Sequence, residues 1–125
     1  MKTYRACLLI DDNPLDNYIN TKIISRSNFA TEILAIESPE EALELLRAGK
    51  FRPEIIFLDI RMPVMDGFDF LDEYEKLDID KDHIEIVMLT SSINPGDMER
   101  AKHYKHVRKY ITKTLTPDIL LQLAS

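Results

Sequence analysis

The stretch EILAIESPEEALELLRAGKFRPEIIFLD, residues 32–59, decides how this chain folds. It opens on one short apolar run, residues 32–36, and closes on another, Ile55–Leu58. Periodicity alone does not separate such runs from pieces of buried helix, so the residues between them arbitrate. Ser38-Pro39-Glu40-Glu41 supplies a cap hydroxyl, a proline at the first helical position and a glutamate three residues after the cap, which together read as a capping box. The helix begun there turns Ala42, Leu43, Leu45 and Leu46 inward and stops at Gly49. The stretch is therefore a strand, a capped helix and a second strand.

The same grammar extends to both ends. Residues 6–10, 84–89 and 107–111 are further Ile-, Val- and Leu-rich runs without the alternation of a half-exposed sheet. Asn94-Pro95 and Thr116-Pro117 repeat the cap-then-proline start, ahead of Met98/Ala101 and Ile119/Leu120/Leu123. Another helix follows Pro14, with Leu15, Tyr18, Ile19 and Ile23 on one face, and another follows Asp66-Gly67, with Phe68, Leu71 and Tyr74. Alternation of this kind implies right-handed βαβ units and a parallel sheet covered on both faces, a three-layer α/β/α domain of five strands. The 125 residues leave no room for a second domain. Sixteen basic against 22 acidic side chains give a net charge of −6, which argues against non-specific nucleic-acid binding. No apolar run approaches the ~20 residues that span a bilayer, and the N-terminus lacks the long apolar core of a signal peptide. The single cysteine, Cys7, lies within the first strand and fits a reducing compartment. A soluble, cytoplasmic protein is expected.

In open parallel sheets the site lies at the carboxyl ends of the strands, so the residues just after each strand are the ones to weigh. They are Asp11 and Asp12, Asp59, Thr90 and Lys113. Carboxylates brought together at ~4 Å repel by ~4 kcal/mol per pair at an effective dielectric near 20, so such a cluster must share protons or bind a cation. All-oxygen ligands suit a hard ion, and a few carboxylates plus water suit Mg²⁺ better than Ca²⁺. A metal, a lysine and a hydroxyl around one aspartate are what a transferring phosphoryl group needs.

These residues carry a resemblance that runs from end to end. Leu8-Leu9-Ile10-Asp11-Asp12-Asn13, Leu58-Asp59-Ile60-Arg61-Met62-Pro63-Val64-Met65-Asp66-Gly67, Met88-Leu89-Thr90-Ser91-Ser92 and Tyr110-Ile111-Thr112-Lys113 resemble, in order and spacing, the motifs of the response-regulator receiver domain of two-component signalling. The resemblance implies one receiver domain over residues 1–125, with a flavodoxin-like sheet of order 2-1-3-4-5. It makes Asp59 the phosphoacceptor, charged from a histidine kinase or histidine phosphotransfer protein. Asp12, Asp59 and the backbone carbonyl of Arg61 would ligate Mg²⁺, with Asp11 acting mostly through water. Thr90 would hydrogen-bond the phosphoryl group, Lys113 would pair with it, and Tyr110 would be the switch aromatic. The side chains of Arg61 and Ser92 would flank the path of attacking water. One departure stands out: the family usually has a cis proline after the lysine, and here Thr114 follows Lys113, which leaves open whether that bond is cis or trans.

The implied function is that of a stand-alone response regulator signalling through phosphorylation-dependent protein contact, with no enzymatic activity beyond self-phosphotransfer and autodephosphorylation. Two other readings stay open. One is a receiver module cut from a longer regulator or hybrid kinase. The other is a small aspartate-nucleophile phosphatase of the haloacid-dehalogenase type, which expects Asp-x-Asp where this chain has adjacent Asp11-Asp12. His103 and His106, three apart without a third ligand candidate nearby, read as a solvated helix end. Arg100, Lys102, Lys105, Arg108 and Lys109 form a cationic run beside Tyr110, after a stretch (72–85) dominated by acids.

Overall fold

The structure, a computed structural model, describes residues 3–125. Strands β1 (Tyr4–Ile10), β2 (Ala30–Ile36), β3 (Ile55–Leu58), β4 (Glu85–Thr90) and β5 (Val107–Thr112) alternate with helices α1 (Pro14–Arg26), α2 (Pro39–Arg47), α3 (Gly67–Glu75), α4 (Pro95–Ala101) and α5 (Pro117–Ala124). The strands form one parallel sheet in the order β2-β1-β3-β4-β5. Fold class, strand order and element sequence match expectation, with strand ends shifted by at most two residues.

The period of two along each central strand divides the core. Leu8, Ile10, Ile56, Leu58, Ile86 and Met88 face α2, α3 and α4, meeting Leu43, Leu46, Phe68, Leu71, Tyr74 and Ala101. Their neighbours Cys7, Leu9, Ile55, Phe57, Val87 and Leu89 face α1 and α5, meeting Ile24, Leu120 and Leu123. Each large side chain buried this way contributes ~1.5–3 kcal/mol of transfer free energy, which explains why runs so short hold their place.

Helix starts follow the residues named above. Ser38, Asn94 and Thr116 accept backbone N–H groups of the first turn, and Asn13 does the same for α1. At Ser38 the hydroxyl accepts from Glu41 N (3.1 Å), while the reciprocal box with both halves formed stands at α3, between Asp66 and Asp69. Leu45 is half-buried rather than fully inward.

Helix α1 departs further from expectation. Its buried side chains are Asn17, Asn20 and Ile24, while Leu15 and Tyr18 are each about three-fifths exposed (62% and 61%). Leu15, Tyr18 and Ile19 look outward, while Ile23 packs against the core as expected. Asn17 is drawn in because its Nδ2 donates to the carbonyl of Asp11 (2.8 Å), so a polar contact at the sheet end sets the rotation of this helix.

A second departure concerns Arg108. The β4–β5 register shifts between Ile86 and Val87, whose partners are Val107 and Lys109, so Arg108 is the extra residue of a bulge. Its guanidinium is re-aimed to Glu85 Oε1 (2.8 Å), Tyr4 Oη (3.2 Å) and the carbonyl of Leu123 (3.0 Å). Arg108 therefore ties strands to α5 and leaves the cationic run beside Tyr110.

Candidate functional site

The sheet order reverses between β1 and β3, and the crevice at such a point is where residues past two adjacent strands meet. Hydrogen bonding runs one residue past each strand and so fixes the backbone of the site. Asp11 N donates to Ile36 O (3.2 Å), Asp59 N to Ile10 O (3.0 Å) and Lys113 N to Thr90 O (2.9 Å). Gly67 lets α3 begin directly against this floor. A Cβ there would lie 2.4 Å from the carbonyl oxygen of Asp59 and 2.9 Å from Ile60 Cα.

The side chains converge as the sequence predicts. Oxygen atoms of Asp11, Asp12 and Asp59 lie within 4.8 Å of one another. Asp11, Asp59 and Thr90 are buried, and Asp12 is the most open of the three carboxylates. Lys113 Nζ donates to Asp11 Oδ2 (2.7 Å) and to Asp16 Oδ2 (2.8 Å), and stands 3.6 Å from Asp59 Oδ2. The backbone N–H of Asn13 reaches Asp11 Oδ1 (2.9 Å), and that of Ile60 reaches Asp59 Oδ1 (2.8 Å). Thr90 Oγ1 accepts from Ser92 N (3.2 Å), and the Tyr110 hydroxyl donates to the Ser92 carbonyl (2.8 Å). The Lys113–Thr114 bond is cis.

Asp16 was not legible as a site residue, because its partner is 97 positions away. The only local signal was an acid in the first turn of the helix that follows Asp11-Asp12. Asp97, which accepts from nearby Ser92 Oγ (2.6 Å) and pairs with Arg61, 36 positions away, was missed because its cation is likewise distant in the chain. His103 is exposed, and His106, ahead of β5, faces Glu75 (3.7 Å) and the edge of the Tyr74 ring. Among the described residues the aspartate trio is the one group able to hold a metal.

The electrostatics follow from this packing. Burial raises the pKa of Asp11, and the charge of Asp59 adds to that, outweighing the opposing hydrogen bonds from Lys113 and Asn13. Burial works against the charge of Lys113, yet its hydrogen bonds to Asp11 and Asp16, with the charges of Asp59 and Asp11, carry its pKa well above the ordinary lysine value. Lys113 is thus a permanent cation that offsets part of the cluster's charge.

The donor set fits a hard divalent ion. Three carboxylates within 4.8 Å of one another are the hard oxygen donors that such an ion takes. Among the described residues the Asp12 carboxylate has no hydrogen bond or ion pair, which leaves it available as a ligand.

The family model for the response regulator receiver domain matches residues 7–125. The chain belongs to the response regulator receiver domain family. A two-component response regulator of Cytophaga hutchinsonii superposes with a TM-score of 0.87 at 32% identity, over 98% of this chain and 95% of that one. The response regulator Rcp1 of Synechocystis is 30% identical over 115 residues, covering 88% of this chain and 77% of its own. A phosphorylated cyanobacterial phytochrome response regulator, RcpA, superposes with a TM-score of 0.78 at 28% identity, over 98% of this chain and 89% of that one. This receiver therefore works in two-component signalling, and its acidic cluster is compatible with Mg²⁺. Among the described residues no helix is long and apolar enough to cross a membrane.

Proposed function

We propose that this receiver takes a phosphoryl group onto Asp59 from the phosphohistidine of a histidine kinase or phosphotransfer protein. It then signals as a single-domain cytoplasmic regulator by binding a partner protein. The observation that carries the reading is the buried Asp59 carboxylate, within 4.8 Å of two further carboxylates and 3.6 Å from a lysine held on Asp11.

In the transfer, a carboxylate oxygen of Asp59 attacks phosphorus, the phosphorus–nitrogen bond of phosphohistidine breaks, and its electron pair leaves with the imidazole. Oδ1 already accepts the Ile60 N–H, so Oδ2, which has only the long approach of Lys113, is the nucleophile. Asp12, Asp59 and the Arg61 carbonyl would hold Mg²⁺ directly and Asp11 mostly through water. The ion supplies charge neutralisation at the transferring oxygens. Lys113, kept cationic by its surroundings, exchanges part of its carboxylate contacts for the phosphoryl group. The Thr90 hydroxyl, whose oxygen already accepts from Ser92 N, has its proton to give to a phosphoryl oxygen. That bond pulls the β4–α4 loop, and Tyr110, bonded to Ser92, reports the change.

Acetyl phosphate with Mg²⁺ should load one phosphoryl group per chain, and a chelator should abolish loading. Asp12→Asn should raise the Mg²⁺ concentration for half-maximal loading about tenfold or more, because one full ligand charge is lost. Loading that persists in the chelator would overturn the metal assignment. Sustained turnover of p-nitrophenyl phosphate would instead favour the phosphatase reading.

A further inference from the structure

Three side chains from three segments meet on one oxygen atom beside the site. Asp97, in the first turn of α4, accepts through Oδ2 from Ser92 Oγ in the β4–α4 loop (2.6 Å) and from the Arg61 guanidinium in the β3–α3 loop. Ser92 lies two residues after Thr90, and Arg61 lies two residues after Asp59. Ser92 is bound at every polar group. Its N–H is on Thr90 Oγ1, its Oγ also accepts the Asn94 N–H (3.3 Å), and its carbonyl accepts the Tyr110 hydroxyl. One unbroken chain of hydrogen bonds thus runs Tyr110, Ser92, Asp97, Arg61, spanning the mouth of the site from β5 to β3. The Asp97 carboxylate is largely buried (14% exposed) while the Arg61 side chain is open (58%), so the Ser92 bond is the better protected half.

We propose that Asp97 is a positioning residue that tethers the unphosphorylated state, holding Ser92 and Arg61 in place until Thr90 is drawn onto the phosphoryl group. This rests on the reading of Asp59 as acceptor. Thr90 cannot move toward Asp59 without carrying Ser92, to which it is bonded, and Asp97 is anchored in a helix. Moving the loop therefore stretches the Ser92–Asp97 bond, while Arg61 keeps Asp97 on the α4 side. A tether that exists in the resting arrangement alone biases the two-state equilibrium against activation, and cutting it makes every ligand of the active state bind more tightly.

The test is the affinity of beryllofluoride with Mg²⁺, a phosphoryl mimic, read by chemical-shift changes at Tyr110 and Thr90. Asp97→Ala should bind it at least about tenfold more tightly, the order expected of one part-buried hydrogen bond to a charged acceptor. Asp97→Asn, which keeps an acceptor for Ser92 but loses the charge on Arg61, should fall between. In an Arg61→Ala/Ser92→Ala background, Asp97→Ala should change nothing further, which a merely structural role would not produce. Should Asp97→Ala unfold, Asp97→Asn and the background series carry the same comparison. Unchanged or weaker binding by folded Asp97 variants overturns the tether while leaving the acceptor reading intact. Failure of the wild type to bind the mimic overturns both.

Discussion

Asp11 has the most demanding surroundings in the site, buried between the cation of Lys113 and the anion of Asp59. Its pKa is raised, so the native state favours its protonated form relative to the unfolded chain. A carboxyl raised on folding weighs against stability above its folded pKa, and that cost fades as pH falls toward the unfolded value near ~3.9. Lys113 is raised in the opposite sense: its contribution is fully present below the unfolded lysine value and fades only in strong alkali. Between pH 7 and 4 the lysine is therefore constant and Asp11 is the variable. In metal-free urea denaturation, the stability of wild type relative to Asp11→Asn should improve as pH falls through this range. A gap that stays flat, or moves the other way, would show that burial does not burden Asp11.

The β3–α3 loop shows how one short element answers two opposed steric demands. Gly67 faces backbone at 2.4 Å and 2.9 Å, and neither atom belongs to a side chain that could turn aside. Val64, which is β-branched, sits at φ 68° with 95% of its surface exposed. Substitutions at the two positions should have opposite signs. Gly67→Ala should cost about 2 kcal/mol or more, because α3 must back away from Asp59. Val64→Gly should stabilise by up to ~1 kcal/mol, the left-handed strain relieved less the extra entropy of glycine. Thermal or urea unfolding of the two variants checks this, and equal signs would contradict it.

Legibility in the sequence followed the range of the interactions. Strands, caps and the five strand-end residues were readable because apolar runs, cap chemistry and the crevice rule each use neighbours in the chain. The rotation of α1 is an exception: the carbonyl that draws Asn17 in belongs to Asp11, six residues earlier, but in a loop whose path no residue pattern gives. The bulge at Arg108 was not readable, since its partners Tyr4 and Glu85 lie 104 and 23 positions away. Asp16 and Asp97 were missed because an acid on a helix surface looks the same whether or not a distant cation finds it.

Taken as one body, the receiver places its switch and its charge on the same side. A groove of about 320 Å³ between α4 and β5 is lined by Met98, Ala101, Lys102, Val107, Arg108, Lys109 and Tyr110. Arg100 lies over the Phe68 ring at 4.3 Å, and Lys102 is 3.6 Å from Glu99. With the charge of Arg108 paired to Glu85, Lys102, Lys105 and Lys109 supply most of the positive field here. Exposed cations contribute mainly to encounter, so an acidic partner captured with beryllofluoride-activated protein should associate more slowly with a Lys102→Glu/Lys105→Glu variant and with rising salt. Thr90→Ala should instead shrink the difference between activated and resting affinity. A partner indifferent to both changes would place the output surface elsewhere.

The expectations about signalling hang on Asp59 being the residue that takes the phosphoryl group, and intact mass addresses that point without intermediaries. Wild type and Asp59→Asn are incubated side by side with acetyl phosphate and Mg²⁺. Wild type should gain about 80 Da, the mass of one phosphoryl group, and Asp59→Asn should gain nothing while remaining folded. An adduct of equal size and yield on Asp59→Asn would contradict the site as described.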